Sequence, residues 1–328
     1  MRVGIIGAGH IAGKMATTIS ALKDVENYAV ASRDIDKAKA FCDKFGTAKA
    51  YGSYEDMLNE ESIDLVYIAL PHSHHCRWSI EALNAGKNVL CEKPAAVNTK
   101  QAKDMIAAAQ RNNRLFAEAM WTRYMPSRQI IDEIVSSGEL GEIVTVASDL
   151  GYRINMNPRM MLPELAGGCL LDLTVYNINF SSMVHGNSIK RISASMIPTE
   201  TGVDGQNTVM MEYDDGVMAS MFTTMFALTE RRGLICGTEG YVTVENLTNP
   251  QRIKVYAPDR VNTTVIKDIA VPPQITGYEY EVLACMRAIE QGRIECGEMP
   301  HSETIEMVKI MDEIRRQFGV VYPFEQNR

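Results

Sequence analysis

The chain has 328 residues, 46% of them hydrophobic and 23% charged, and 41 Asp plus Glu outnumber 33 Lys plus Arg for a net charge of −8. That length allows two domains with cores that need no disulfide or metal staple, and the composition excludes a disordered or collagen-like chain. The acidic balance excludes nucleic acid or an anionic membrane as a general partner, while leaving room for a local basic pocket. Seven cysteines, at 42, 76, 91, 169, 236, 285 and 296, are odd in number and form no C-x-x-C pair. They read as reduced thiols of a cytoplasmic protein. No apolar run reaches the ~20 residues of a membrane span. The short stretch Val3–Ile6 runs straight into glycines, so it reads as structure and not as a signal peptide.

Arg2–Ile6 is a continuous apolar run, the pattern of a strand buried on both faces. Gly7-Ala8-Gly9 follows, then a helix from about His10 to Leu22. Tyr28–Ala31 is the second predicted strand, and Asp34–Phe45 a helix closed by Gly46. Ser53 caps a short helix through Leu58, and Leu65–Ala69 is the third strand. A helix from about His75 to Ala85, a strand Asn88–Cys91, a helix from Asn98 or Thr99 to Gln110 and a strand Leu115–Ala119 complete the series. Alternating short strands and helices predict a doubly wound parallel sheet over residues 1–120, an α/β fold.

After Trp121 the rhythm changes. A helix over Ser127–Ser136 precedes a strand over Ile143–Ser148, and Ile189–Val271 is strand-like almost throughout, with a hairpin turn at Asp214-Asp215-Gly216. Helices over about Tyr278–Gln291 and Ser302–Phe318 close the chain. Residues 121–328 therefore read as a second domain, α+β on a mostly antiparallel open sheet. Met218, Met221, Phe222, Met225 and Phe226 make one strand apolar on both faces. Either both faces are core, or one is covered by a second subunit.

Gly7-Ala8-Gly9-His10-Ile11-Ala12 fits G-x-G-x-x-A between a strand and a helix. Gly7 permits the tight turn, Gly9 lets a pyrophosphate approach the backbone, and Ala12 lets the helix pack closely. The amides of His10 and Ile11 open the helix, where free donors and the macrodipole favour an anion. The cofactor type turns on the end of the second strand, Ala31-Ser32-Arg33-Asp34. Ser32 stands where an acidic residue would bind the ribose of NAD, and Arg33 suits a 2′-phosphate, which favours NADP over NAD. The other possibility makes Arg33 a solvated residue and Asp34 the ribose ligand.

Ligands of open α/β sheets lie beyond the carboxyl ends of the strands. Here those ends carry Leu70-Pro71-His72-Ser73-His74-His75 and Glu92-Lys93-Pro94. No Cys or carboxylate ligand pattern accompanies the histidines, so no metal is expected. Leu70, Pro71, His75, Glu92 and Lys93 read as cofactor contacts. Further on, Gly167-Gly168-Cys169-Leu170-Leu171-Asp172-Leu173-Thr174-Val175-Tyr176, if helical from Gly168, sets Asp172 and Tyr176 four apart on one face. A satisfied core tyrosine and a functional pair both fit that spacing.

These pieces together, in this order, resemble the glucose–fructose oxidoreductase / inositol dehydrogenase (Gfo/Idh/MocA) family over essentially the whole chain. Within it, Met120-Trp121-Thr122-Arg123-Tyr124-Met125-Pro126 is similar to the dimeric dihydrodiol dehydrogenase / xylose dehydrogenase branch. The resemblance implies a Rossmann domain followed by a substrate-binding domain whose open sheet mediates oligomerisation, here a homodimer. It implies Lys93 and Tyr176 as the catalytic pair with Asp172 beside them, Tyr176 as acid/base and Lys93 on the substrate oxygen. Trp121 and Arg123, near the expected junction, and Arg159 are then substrate-side residues. Thr174 departs from the family pattern, where glycine is common. The implied activity is hydride transfer between NADP (or NAD) and a sugar, polyol or dihydrodiol-like small molecule. A non-catalytic NAD(P)-binding sensor and an NAD-dependent glycoside-modifying enzyme are the alternatives.

Overall fold

The structure, a computed structural model, describes residues 1–258 and 263–325. Residues 259–262 of the expected strand-like run lie outside the described residues. The chain divides into two compact units, 1–124 with 274–305, and 125–273 with 306–328. The first compact unit thus runs four residues past the expected boundary at residue 120 and takes in a segment from near the end of the chain.

The first unit begins β1 (Arg2–Ile6), α1 (His10–Ala21), β2 (Glu26–Ala31), α2 (Ile35–Phe45), β3 (Lys49–Tyr51) and α3 (Tyr54–Leu58). It continues β4 (Leu65–Ile68), α4 (His72–Asn84), β5 (Asn88–Glu92), α5 (Thr99–Asn112) and β6 (Phe116–Ala119). The sheet order is β3-β2-β1-β4-β5-β6, with all pairs parallel. This is the doubly wound order, which reverses direction between β1 and β4. Ile5, Ile6, Val66, Ile68, Val89 and Leu90 are fully buried, as strands covered on both faces require. β3 is an addition to the expected elements; its three residues are too few to show an alternation. α4 starts at His72, three residues earlier than expected, with Pro71 as its N-cap.

The second unit holds α6 (Pro126–Ser136), β7 (Ile143–Gly151), α7 (Pro158–Met161) and α8 (Val175–His185), the last preceded by a π-turn at Leu170–Thr174. Strands β8 (Ile189–Pro198), β9 (Asp204–Tyr213), β10 (Met218–Thr224), β11 (Gly233–Gly237), β12 (Tyr241–Val244), β13 (Arg252–Pro258) and β14 (Thr263–Ala270) follow. They form an eight-stranded sheet, β14-β13-β12-β11-β7-β10-β9-β8, antiparallel except for β7 with β10. On β10, Ala219, Met221 and Thr223 are buried and Met218 and Phe222 exposed, so the strand is apolar on both faces but covered on one. α9 (Glu279–Glu290) belongs to the first unit, and the division falls within α10 (His301–Phe318), after Ile305. No helix among the described residues is long and apolar enough to cross a membrane.

Candidate active site

Gly7 leaves β1 with φ +104°, and a Cβ there would stand 2.5 Å from the carbonyl oxygen of Ala69. Both the backbone and the end of β4 therefore require glycine. Gly9 is different: a Cβ there meets nothing within 4 Å, so the fold leaves the space above it open. It caps α1 without a side chain, and the first turn of α1 has no acidic residue. Ala12 is fully buried, and the next residue, Gly13, allows the Phe45 ring to within 2.6 Å of where its Cβ would be. Gly9 and His10 line a cavity of about 520 Å³ together with Lys14, Lys37 and Lys44. These three lysines were not singled out in the sequence; their signal was a basic spacing across α1 and α2 that any solvated helix face also shows. Open backbone amides, a helix N-terminus and local cations fit a dinucleotide pyrophosphate.

At the end of β2, Ser32 is buried and its Oγ accepts from the Asp34 amide at 3.3 Å. Asp34 is the N-cap of α2, its Oδ1 accepting from the amides of Asp36 (3.0 Å) and Lys37 (3.3 Å). Arg33 is exposed, beside the Tyr54 hydroxyl.

The ends of β4 and β5 are tied together by His75. Its ring is fully buried, with Nε2 2.8 Å from the Leu70 carbonyl oxygen and Nδ1 2.9 Å from that of Pro94. His75 thus fastens the two loops. The loop carrying Lys93 has further supports. Glu92 Oε2 accepts from the Lys93 amide (3.2 Å), Glu118 Oε1 from the Ala95 amide (3.0 Å) and Gln101 Oε1 from the Val97 amide (3.2 Å). Glu92 also accepts from the Tyr67 hydroxyl, and it is buried. Burial and the carboxylates of Glu92 and Glu281 push the Tyr67 phenol well up. The Lys93–Pro94 peptide is cis. Leu70, Pro71 and Lys93 are half-buried at this edge. Among the described residues no three His, Cys, Asp or Glu side chains group to hold a metal ion.

Gly168 has φ +111°, so the helix carrying Asp172 and Tyr176 starts after it, at Cys169. The Val175 amide donates to the Leu170 carbonyl, an i→i+5 bond. A π-turn widens the helix by one residue, so Asp172 and Tyr176 are not the simple i, i+4 pair of an α-helix. Arg159 grips Asp172 in a bidentate pair, Nη1 to Oδ1 at 2.9 Å and Nη2 to Oδ2 at 3.1 Å. Tyr176 is 9% exposed. Trp121 stacks on Tyr278 with centroids 4.3 Å apart, and both rings belong to the first unit. Arg123 is 6% exposed, its Nη2 donating to Glu303 at 3.0 Å.

The family described as "Oxidoreductase family, NAD-binding Rossmann fold" matches residues 1–120, and the GFO/IDH/MocA C-terminal domain matches residues 129–243. Among curated relatives, trans-1,2-dihydrobenzene-1,2-diol dehydrogenase of Danio rerio is 35% identical over 330 residues, 98% of each chain. The enzymes of the same name from Mus musculus and Homo sapiens are each 31% identical, again over 98% of both chains. Among solved structures, the 3-ketoreductase KijD10 of Actinomadura kijaniata, in complex with NADP and TDP-benzene, has a TM-score of 0.86 at 23% identity, covering 97% of each chain. Levoglucosan dehydrogenase in complex with NADH and L-sorbose has a TM-score of 0.87 at 18% identity, over 98% of this chain and 99% of that one. The chain belongs to the GFO/IDH/MocA family of NAD(P)-binding oxidoreductases.

Proposed function

We propose that the protein is an NADP(H)-dependent oxidoreductase acting on a hydroxyl or carbonyl carbon of a sugar, polyol or dihydrodiol-like small molecule. The observation that carries the reading is Gly9, a glycine no contact of the fold demands, at an uncapped helix N-terminus beside three lysines. The bound nicotinamide supplies or accepts the hydride. Tyr176 gives or takes the proton at the substrate oxygen. Lys93 donates a hydrogen bond to that oxygen. Asp172, held by Arg159, orients the substrate. The NADP preference is supported by Ser32 in the ribose position, by exposed Arg33, and by Asp34 serving as the cap of α2. The names of the relatives and structural neighbours support dihydrodiols and sugars as the first substrates to try.

The test is nicotinamide absorbance with each cofactor against a panel of aldoses, inositols, dihydrodiols and diketones. Turnover on at least one, faster with NADP(H), is expected. Tight cofactor binding without turnover on any would turn the reading to a sensor. A homodimer through the open face of the large sheet belongs to the same proposal. There Leu234, Ala147, Ser220, Met210 and Ser193 align across five strands, flanked by exposed Met218 and Phe222. Phe222→Glu is expected to halve the mass measured by light scattering, and an unchanged mass removes that face. The cysteines, all of them thiols, support a cytoplasmic address.

A further inference from the structure

Asp204 opens β9 and is 2% exposed. Its Oδ2 accepts hydrogen bonds from the Leu170 amide and from Asn207 Nδ2, each at 2.7 Å. Leu170 is the first residue of the π-turn, so the carboxyl stands at the N-terminal end of the helix that bears Asp172 and Tyr176. A Cβ on Gly168 would overlap Asp204 Oδ1, so glycine at that position is what lets the carboxyl lie there. Thr174, the last residue of the turn, is fully buried. Its Oγ1 accepts from Asn207 Nδ2 (2.9 Å) and lies 3.1 Å from the Thr223 hydroxyl. Asn177 Nδ2 donates to the same Thr223 hydroxyl at 3.0 Å. The helix is fastened at 170, 174 and 177 to two strands, through side chains remote from it in sequence.

Thr or Asn would cap Leu170 without burying an acid, so stability alone does not explain a carboxyl here. Burial pushes Asp204 up to about 7 against the lowering by Asn207 and the Leu170 amide. A carboxyl raised in the folded state contributes stability that is complete below its ordinary value and lost as pH rises through about 7. The ionised form therefore strains the fold while making the stronger bonds, charge-assisted and at a helix N-terminus. The ionisable groups around it are few. Cys169 donates to the Gly205 carbonyl at 3.0 Å, and its thiol is pushed up by burial and by Asp204. The Tyr322 hydroxyl donates to the Gly167 carbonyl at 2.9 Å, with Arg315 over its ring and Glu325 bonded to Arg315. Asp172 lies within the turn itself.

We propose that Asp204 is a positioning residue for the reaction, its carboxylate fixing the π-turn so that Asp172 and Tyr176 are held in working register. The inference rests on the catalytic role proposed for Tyr176. In Asp204→Asn, kcat is expected to fall by about ten- to a hundredfold with cofactor Kd unchanged. The unsubstituted enzyme loses kcat as pH falls through about 7, and the variant is flat in that window. At pH 8 the variant melts higher than the unsubstituted protein, whereas a purely structural cap predicts a lower melting point with kcat intact. Unchanged kcat and pH profile in the folded variant overturn the proposal. Tyr176→Phe separates the two claims, since full turnover there removes the catalytic reading and leaves Asp204 to a second measurement. That measurement is nuclear magnetic resonance of ring-labelled tyrosine in the unsubstituted protein, needing neither activity nor the variant. The Tyr176 ring signal is expected to move with pH in step with the Leu170 amide, about a midpoint near 7. A Tyr176 signal indifferent to that titration overturns the positioning role.

Discussion

In the first unit the groups assigned to the cofactor are largely backbone: the turn at Gly7–Gly9, the amides of His10 and Ile11, and the strand ends at Leu70 and Glu92. In the second unit the groups assigned to the reaction are side chains, Asp172 and Tyr176, on a helix with a π-turn in its first residues. The former need residues that leave space; the latter need partners that fill it, here Arg159, Asp204, Asn207 and Thr223. A site made of backbone is built by its own neighbours in the chain, whereas a site made of side chains on a distorted helix is built by strands that come later.

The strongest way to break this comparison lies at the side chains. Tyr176→Phe and Lys93→Met are each expected to lower kcat by about 10²- to 10⁴-fold while cofactor Kd barely moves, and steady-state rates near normal would remove those roles. The next largest effect separates the two glycines. Gly7→Ala is expected to cost ~2 kcal/mol or more of stability, since it forces a residue with a Cβ into positive φ and against Ala69. Gly9→Ala leaves the melting temperature unchanged and weakens cofactor binding in titration calorimetry. Equal losses of stability in both variants would show the two glycines to be alike. Arg33→Ala is expected to reduce the preference for NADP over NAD by about tenfold in kcat/KM, an ion-pair loss on the order of 1.4 kcal/mol. Equal use of both cofactors before and after the substitution removes the preference. The smallest effect belongs to Thr174→Val, about 1 kcal/mol in denaturant unfolding, for it unties Thr174 from Asn207 and Thr223 while keeping its shape.

That contrast also explains what was legible. The strands and helices of the first unit follow from apolar runs punctuated by Gly7, Gly46 and Ser53, local signals each sufficient for one element. β3 escaped because three residues carry no period. The return of α9 to the first unit has no sequence mark, for its apolar stripe fits any partner. Asp172 and Tyr176 stood out by resemblance, but the π-turn between them depends on Asn207 and Thr223 holding Thr174. The same Thr174 was noticed only as a departure from a glycine. Asp204 gave no signal, because an acidic residue before an apolar strand reads as a turn. Nothing near Arg123 in sequence announces Glu303 as its partner.

The pairing of Phe116 bears on how the chain can be cut. On the outer edge of β6 its amide donates to the Ile294 carbonyl at 3.0 Å, and its own carbonyl lies 2.9 Å from His301 Nε2. During synthesis that edge stays bare until almost the whole polypeptide has emerged, and a fragment ending at residue 124 keeps it bare for good. Bare edges recruit other strands. The nucleotide-binding half, although first in order, is thus finished only once the chain has passed residue 305, and expressing it alone invites aggregation unless residues 274–305 are spliced back on.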